Sequence, residues 1–333
     1  MKKSVIGSIL LLLAVLVFLP LWGRTVLSPS VFRDWPFFGR ELSDLSPSAQ
    51  IYWGERFPRT LLSMIAGSGL ALAGLVLQAV FRNPLATPYT LGIASGASFG
   101  AVLVLHLSSF FSINALIFGI SPVPFGAFCG SLLSMGIVYG LAGQRARKGD
   151  QMLLAGVAVS FFFSSLILCC QYISDPSRTF QMIRWTMGGI EQCGYGSLAF
   201  LFFLVFGMGI VLFFLARDLN LLLLGEEKAA ALGMDVHRFH LKMFFLTSLL
   251  VGAIVSVCGP IGFVGLMVPH LCRRMVGSDH RRLVPWTFTA GAVFLAVCFT
   301  LSRTILFPGI LPVGLITSLL GGPFFLWILL KRK

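Results

Sequence analysis

The sequence predicts an all-α polytopic membrane protein with about ten transmembrane helices and both termini in the cytoplasm. Hydrophobic residues occupy 57% of the 333 positions and charged residues 11%, whereas soluble domains carry about 25% charged residues. Eight long runs contain no charged residue, at 4–23, 60–81, 83–144, 151–174, 192–216, 243–272, 283–302 and 304–330. Backbone polar groups in lipid must pair within their own segment, so these runs indicate membrane helices.

The first run follows Lys2 and Lys3, as the apolar part of a secretory signal would. No A-x-A-like cleavage site follows it, and the run is long enough to span a membrane, so we expect a retained first helix. The run 83–144 has 62 residues, enough for two passes joined by a turn around 114–124. The runs at 60–81, 151–174, 192–216, 283–302 and 304–330 each predict one pass.

The distribution of lysine and arginine predicts the orientation. With the amino terminus inside, 17 of the 25 basic residues fall on the cytoplasmic side, as the positive-inside rule requires. The net charge of +13 is then a consequence of topology, and we expect no nucleic-acid partner.

The run 243–272 is too short for two regular crossings, yet basic residues flank both of its ends. Both flanks should lie in the cytoplasm, so the segment goes in and comes back. Its stretch GPIGFVGLMVPH, at 259–270, carries three glycines and two prolines. Such breaks survive at membrane depth only where protein or a water-lined cavity covers the freed backbone groups. We expect either an irregular segment inside the bundle or a kinked packing helix.

Two loop segments offer candidate partner surfaces, and a third suits a cap at the membrane interface. Arg56 and Arg59 precede the second span, where they could meet lipid phosphate or acidic groups on a partner. The segment TFQMIRWTMGG, at 179–189, resembles a short amphipathic helix. The longest inner loop, 217–242, has a helix-forming centre bounded by Gly225 and Gly233. A short exposed helix there could dock a partner.

The sequence lacks residues that several other functions would require. No acid lies inside the charge-free runs, which counts against a proton- or sodium-coupled carrier. No G-x-x-x-x-G-K-[ST] phosphate loop is present, so this chain should not hydrolyse ATP itself. The cysteines show no metal-ligand spacing, and we favour a packed or interfacial role for the five histidines over a haem-ligand role. An integral membrane enzyme would need a histidine or carboxylate cluster that is missing.

Several short strings, in order along nearly the whole chain, resemble the FecCD-like permease subunits of ATP-binding-cassette (ABC) importers for iron-siderophores, haem and cobalamin. They are Arg56 with Pro58 and Arg59, the string NPLA at 83–86 with Leu91-Gly92, GEE at 225–227 with Leu232-Gly233, GPIGFVGL at 259–266 with VPH at 268–270, DHR at 279–281, LPVG at 311–314 and GPFF at 322–325.

The resemblance implies a single transmembrane permease domain over 1–333 in the cell inner (cytoplasmic) membrane. It implies a homodimer with two cytoplasmic ATPase subunits and a periplasmic or surface substrate-binding protein. This chain would bind no cofactor or metal, because ATP and Mg belong to the ATPase. The cargo would be a metal chelate, with iron-siderophore or haem ahead of cobalamin. The alternative, an ion-coupled secondary transporter, is disfavoured by the missing intramembrane acids.

The resemblance also assigns residues. ATPase coupling would map onto the loop at about 217–242, through Leu224, Gly225, Glu226, Glu227, Ala230, Leu232 and Gly233. The pathway or structural motif would comprise Gly259, Pro260, Gly262, Phe263, Gly265, Pro269 and His270. Binding-protein docking would use Arg56, Arg59 and Arg303. Family members often carry acids at the positions of Phe299 and Ile310, so this chain leaves Arg303 less neutralised than usual.

Overall fold

The computed structural model describes residues 2–23, 27–34, 45–108, 122–142, 149–190, 195–306 and 309–330. All its regular elements are helical. Their bounds are α1 Lys2–Phe18, α2 Pro47–Ala49, α3 Phe57–Val80, α4 Ile93–Leu107, α5 Pro122–Ala142, α6 Gly149–Ile173, α7 Pro176–Thr186, α8 Tyr195–Phe214, α9 Ala216–Leu223, α10 Glu226–Ala231, α11 Val236–Cys258, α12 Val264–Val276, α13 His280–Thr304 and α14 Val313–Leu330.

Within these residues, six helical segments are long and apolar enough to cross a membrane: Pro47–Val80, Pro122–Leu141, Gln151–Ile173, Tyr195–Phe214, Val236–Cys258 and His280–Thr304. Three shorter apolar helices accompany them, at Ile9–Leu21, Ile93–Leu107 and Val313–Ile328. The all-α membrane fold class is therefore confirmed at this level. The turn expected around 114–124 lies largely outside the described residues, although α5 already begins at Pro122.

Helix α3 is the centre of the bundle, and nearly every residue along it is buried. It packs against α11, α12 and α13. Helices α6 and α8 instead expose most of their apolar side chains. Since α3 has 24 residues, its two ends lie about 36 Å apart at roughly 1.5 Å per residue. The candidate residues divide between these two ends.

Small residues let α4 and α5 approach at backbone distance. A Cβ added to Gly100 would collide with the carbonyl of Gly126, and one added to Gly96 would lie 2.6 Å from the carbonyl oxygen of Gly130. The glycine spacing in 92–100 therefore reflects helix packing. The segment before α3 forms a π-helical turn, Gln50–Arg56, in which Tyr52 and Trp53 are buried against Leu27, Val31 and Leu45. These two aromatic rings belong to a small core of their own.

Candidate functional site

The predicted irregular stretch 259–270 is non-helical only over 259–263. Helix α12 begins at Val264 and continues through Pro269, so the expectation of a break extending to His270 is wrong. At the break, Gly259 has φ +64° and the non-glycine Phe263 has φ +65°. A Cβ added to Gly321 of α14 would collide with the Phe263 ring. Packing of that ring against a glycine therefore stabilises a conformation that costs a bulky residue on the order of 1 kcal/mol or more.

A second turn, at Gly188 and Gly189, supports the break from outside. The N–H of Gly189 donates to the carbonyl of Cys258 at 2.9 Å, and the N–H of Gly314 donates to the carbonyl of Gly188 at 3.3 Å. A Cβ on Gly188 would collide with the carbonyl of Pro260. The predicted amphipathic helix, which is α7, leads directly into this turn. Protein therefore packs against the break on this side, as backbone at membrane depth requires.

Helix α12 passes Pro269 because a distant side chain supplies the missing hydrogen bond. Proline has no N–H to donate to the carbonyl four residues earlier, which is that of Gly265. Nε2 of Gln78 donates to this carbonyl at 3.1 Å, and Oε1 of Gln78 accepts from Arg273 at 2.6 Å. Sequence reasoning missed Gln78. A signal existed, since it is the only long polar side chain of α3 beyond Arg59.

The last predicted member of this motif, His270, lies one residue beyond Pro269 and is half-buried. Its ring makes an edge-to-face contact with Phe324 at a centroid distance of 6.0 Å. The next turn places the Arg274 guanidinium 5.0 Å from the ring of Trp327. Both contacts attach α12 to α14. Among the described residues, no three histidine, cysteine or acidic side chains lie close enough together to hold a metal ion.

A cavity of about 730 Å³ lies over the break and brings the three predicted docking arginines together. Its charged lining residues are Glu55, Arg56, Arg59, Arg184 and Arg303. Four arginines against one glutamate make this arginine cavity strongly cationic, so it suits carboxylate partners. Cys258 and Gly259 line the same cavity. Arg184, in the last turn of α7, was not predicted as a member of this group.

Two of the arginines also hold the short 3-10 turn, Leu19–Leu21, that follows α1. Nη2 of Arg303 donates to the carbonyls of Leu19 at 2.8 Å and Trp22 at 2.7 Å, and Nη1 of Arg56 donates to that of Pro20 at 3.3 Å. Cations at a helix carboxyl terminus satisfy its last carbonyls and complement its dipole. The Arg303 guanidinium also lies 5.4 Å from the ring of Phe299. The aromatic face therefore contacts the cation at the position where the family resemblance led us to expect an acid.

The predicted coupling residues lie at the other end of α3. Gly225 lies beside Arg82, two residues after the end of α3. A Cβ added to Gly225 would be 3.9 Å from Nη1 of Arg82. Gly225 (φ +110°) immediately precedes α10, and Gly233 (φ +89°) lies two residues after its end. The acids Glu226 and Glu227 occupy the first turn of α10, where the helix dipole favours negative charge. The loop expected at 217–242 is mostly helical, because α9 and α10 fill it and α11 already begins at Val236.

Exposed apolar side chains distinguish this segment. Leu224 is 56% exposed and Leu232 is 63% exposed, and Ala230 between them is exposed too. The buried Ala229 faces the bundle. Asn220 of α9 anchors the segment to the start of α13, because its Nδ2 donates to Asp279 at 2.7 Å. This bond, followed by that from the backbone N–H of Arg281, lowers the pKa of the Asp279 carboxyl. The result is a small fixed knob with an apolar tip.

Comparison with known proteins assigns the family. The profile of the FecCD transport family matches residues 5–331. The hemin transport system permease protein of Yersinia pestis is 40% identical over 283 residues, covering 85% of this chain and 84% of that protein. The vitamin B12 import system permease protein of Vibrio cholerae is 35% identical over 326 residues, covering 97% and 92%.

A solved structure, described as an inward-facing conformation of a metal-chelate type ABC transporter, is similar over the whole chain. It has a TM-score of 0.82 and 31% identity, and the match covers 99% of this chain and 100% of that one. The match to the family profile spans the break, the arginine cavity and the α9–α10 segment alike, and the match to the solved structure covers nearly the whole chain. This chain is a member of the FecCD transport family, whose members are permease components of ABC importers.

Proposed function

We propose that this chain is the membrane permease subunit of an ABC importer that moves a metal chelate into the cytoplasm. The observation that carries the proposal is the family match over 5–331 together with relatives named for hemin and vitamin B12 import. We place iron-siderophore or haem ahead of cobalamin as cargo, and the hemin permease at 40% identity supports that order.

The subunit would cross the inner (cytoplasmic) membrane ten times, with both termini in the cytoplasm. The ten crossings are the six long apolar segments, the three shorter apolar helices and α12. Helix α12 has 13 residues, or about 20 Å, so it would be the short return pass after the break at 259–263. The basic residues of the sequence set the direction. The whole chain would form one permease domain.

The arginine cavity would receive acidic residues of a substrate-binding protein. Arg56, Arg59 and Arg303 all line it, and guanidinium groups suit paired contacts with carboxylates. Because the same cavity reaches Cys258 and Gly259, docking would occur directly above the break. The motif residues from Gly259 to His270 would then form part of the pathway that docking and ATPase motion open and close.

The α9–α10 segment would couple the chain to ATPase subunits. Its apolar tip at Leu224 and Leu232, beside the acids Glu226 and Glu227, is suited to a complementary groove on a partner. Two ATPases would serve a permease homodimer and would hold the ATP and Mg, so this chain needs no cofactor. The exposed apolar faces of α6 and α8 supply surface for a second copy and for lipid.

Uptake into proteoliposomes tests the proposal. The chain would be reconstituted with its genomically adjacent ATPase and binding protein and offered ferric siderophores, haem and cobalamin in parallel. Uptake of one chelate that requires ATP and both partners is the expected result. Uptake without ATP, driven by an ion gradient, would establish a secondary transporter instead.

A further inference from the structure

A second cavity, of about 460 Å³, lies between α1, α8 and α13. It is a groove open to the side of the bundle, and Phe214 at its rim is 77% exposed. Apolar side chains from all three helices line it, among them Ile9, Leu12, Phe206, Phe213, Trp286 and Phe288. The groove is distinct from the arginine cavity, with which it shares no lining residue.

The groove contains almost nothing that a polar ligand could use. The hydroxyl of Thr289, which lines it, donates to the carbonyl of Pro285 within its own helix at 3.0 Å. Two of the three helices, α8 and α13, are long and apolar enough to cross a membrane. The hydrocarbon that surrounds such helices is the acyl chain of a lipid.

One end of the groove carries exposed cations on the same helical face. Arg282 precedes Pro285, Trp286 and Thr289 by three, four and seven positions, which places all four on one face of α13. Arg281 precedes Val284, Pro285 and Phe288 by the same spacing. Both arginines are exposed. The neighbouring acid, Asp279, already accepts from Nδ2 of Asn220 and from the N–H of Arg281.

We propose that this groove is a binding site for one anionic phospholipid. One acyl chain lies between α1, α8 and α13, and the phosphate lies against Arg281 and Arg282. At this end of the groove, apolar side chains that suit an acyl chain lie next to cations that suit a phosphate. The site would lie in the leaflet on the α9–α10 side. The inference goes beyond the transport proposal and requires only that the chain lies in a membrane.

Bromine on an acyl chain quenches a nearby tryptophan, and Trp286 lines the groove. The full chain would be placed in phosphatidylcholine nanodiscs with increasing fractions of dibrominated phosphatidylglycerol or dibrominated phosphatidylcholine. Subtracting the signal of Trp286→Phe isolates Trp286. We expect half-maximal quenching at a roughly fivefold lower fraction of phosphatidylglycerol than of phosphatidylcholine. This is the preference that an attraction of about 1 kcal/mol between a basic residue and an anionic lipid gives. The double variant Arg281→Gln/Arg282→Gln should remove that preference.

Two glycines of α8 provide a matched pair of variants. A Cβ on Gly209 would lie 3.5 Å from Phe288 inside the groove, whereas one on Gly207 would meet nothing within 4 Å. Gly209→Leu should fill the groove and abolish the saturable quenching, and Gly207→Leu should retain it. Equal curves for the two lipids, equal behaviour of the two leucine variants, or no quenching at all would overturn the site. If circular dichroism shows that Gly209→Leu does not fold, the lipid preference of the Arg281→Gln/Arg282→Gln variant still tests the proposal, because both arginines are exposed.

Discussion

The side-chain amide of Gln78 donates to the carbonyl oxygen of Gly265, the carbonyl that Pro269 leaves without its helical donor. This bond joins α3 to the first turn of α12 across 187 positions of sequence. Gln78 is buried, and Arg273 of the same short helix completes its hydrogen bonding. The pair explains how a proline-containing helix directly after a backbone break keeps its first turn.

Replacing Gln78 with leucine should destabilise the chain by about 1–3 kcal/mol, the cost of leaving a buried hydrogen-bonding group unpaired. Thermal unfolding in detergent measures the effect. Gln78→Glu serves as the control, because it keeps an acceptor for Arg273 and loses only the donor to Gly265. We expect the glutamate variant to fall between the wild type and the leucine variant. Identical unfolding temperatures for all three would show that the bond contributes nothing.

Gly74→Ala should prevent correct packing of α12 against α3. A Cβ on Gly74 would collide with the backbone carbonyl of Gly265, and backbone of a packed helix cannot move aside cheaply. Gly136 of α5 is the matched control, since a Cβ there meets nothing within 4 Å. The expected result is loss of monodisperse protein by size-exclusion chromatography for Gly74→Ala and normal yield for Gly136→Ala. Equal yields would contradict the packing.

In the arginine cavity, we expect Arg59 to affect docking alone and Arg303 to affect both docking and stability. Among the described residues, Nε lacks a hydrogen-bond partner in both Arg59 and Arg303, but Nη2 of Arg303 donates to the carbonyls of Leu19 and Trp22, just after α1. Arg59→Gln should therefore weaken binding of the substrate-binding protein by about 1–2 kcal/mol, roughly five- to thirtyfold in Kd, with little change in unfolding temperature. Arg303→Gln should lower both affinity and unfolding temperature.

Biolayer interferometry at low and high salt measures that affinity, and the loss should shrink at high salt because exposed charges are screened. The exposed Arg33 lies outside the cavity lining, so Arg33→Gln provides the control. An Arg59→Gln affinity equal to that of Arg33→Gln at low salt would remove Arg59 from the docking surface.

The knob on α9–α10 predicts a loss of coupling without a loss of fold. Leu224→Ser/Leu232→Ser should reduce co-purification of the ATPase, because both side chains are exposed and support no core. Glu226→Lys/Glu227→Lys should uncouple ATP hydrolysis from uptake, at a cost to α10 of roughly 0.3–1 kcal/mol for each charge at a helix amino terminus. Unchanged ATPase recovery and vesicle uptake in both variants would exclude this segment as the coupling surface.

The sequence by itself determined the helical membrane fold and the position of its main irregularity. Charge-free apolar runs predicted α1, α3, α6, α8 and the pair α11 and α12, and glycine at 259 marked the end of α11. These features depend on the composition of contiguous segments, because lipid forces each segment to satisfy its own backbone. The short strings that resemble the FecCD family were equally local.

Only the tertiary structure decided how far the break extends and what the arginines contact. Pro269 in the sequence suggests an interrupted helix, and the bond from Gln78 that keeps α12 helical appears only when α3 lies beside it. The family resemblance predicted only that Arg303 is less neutralised than usual, whereas the structure shows it donating to the carbonyls of Leu19 and Trp22. Such contacts join residues far apart in the chain, so they depend on how the helices pack and not on any one segment.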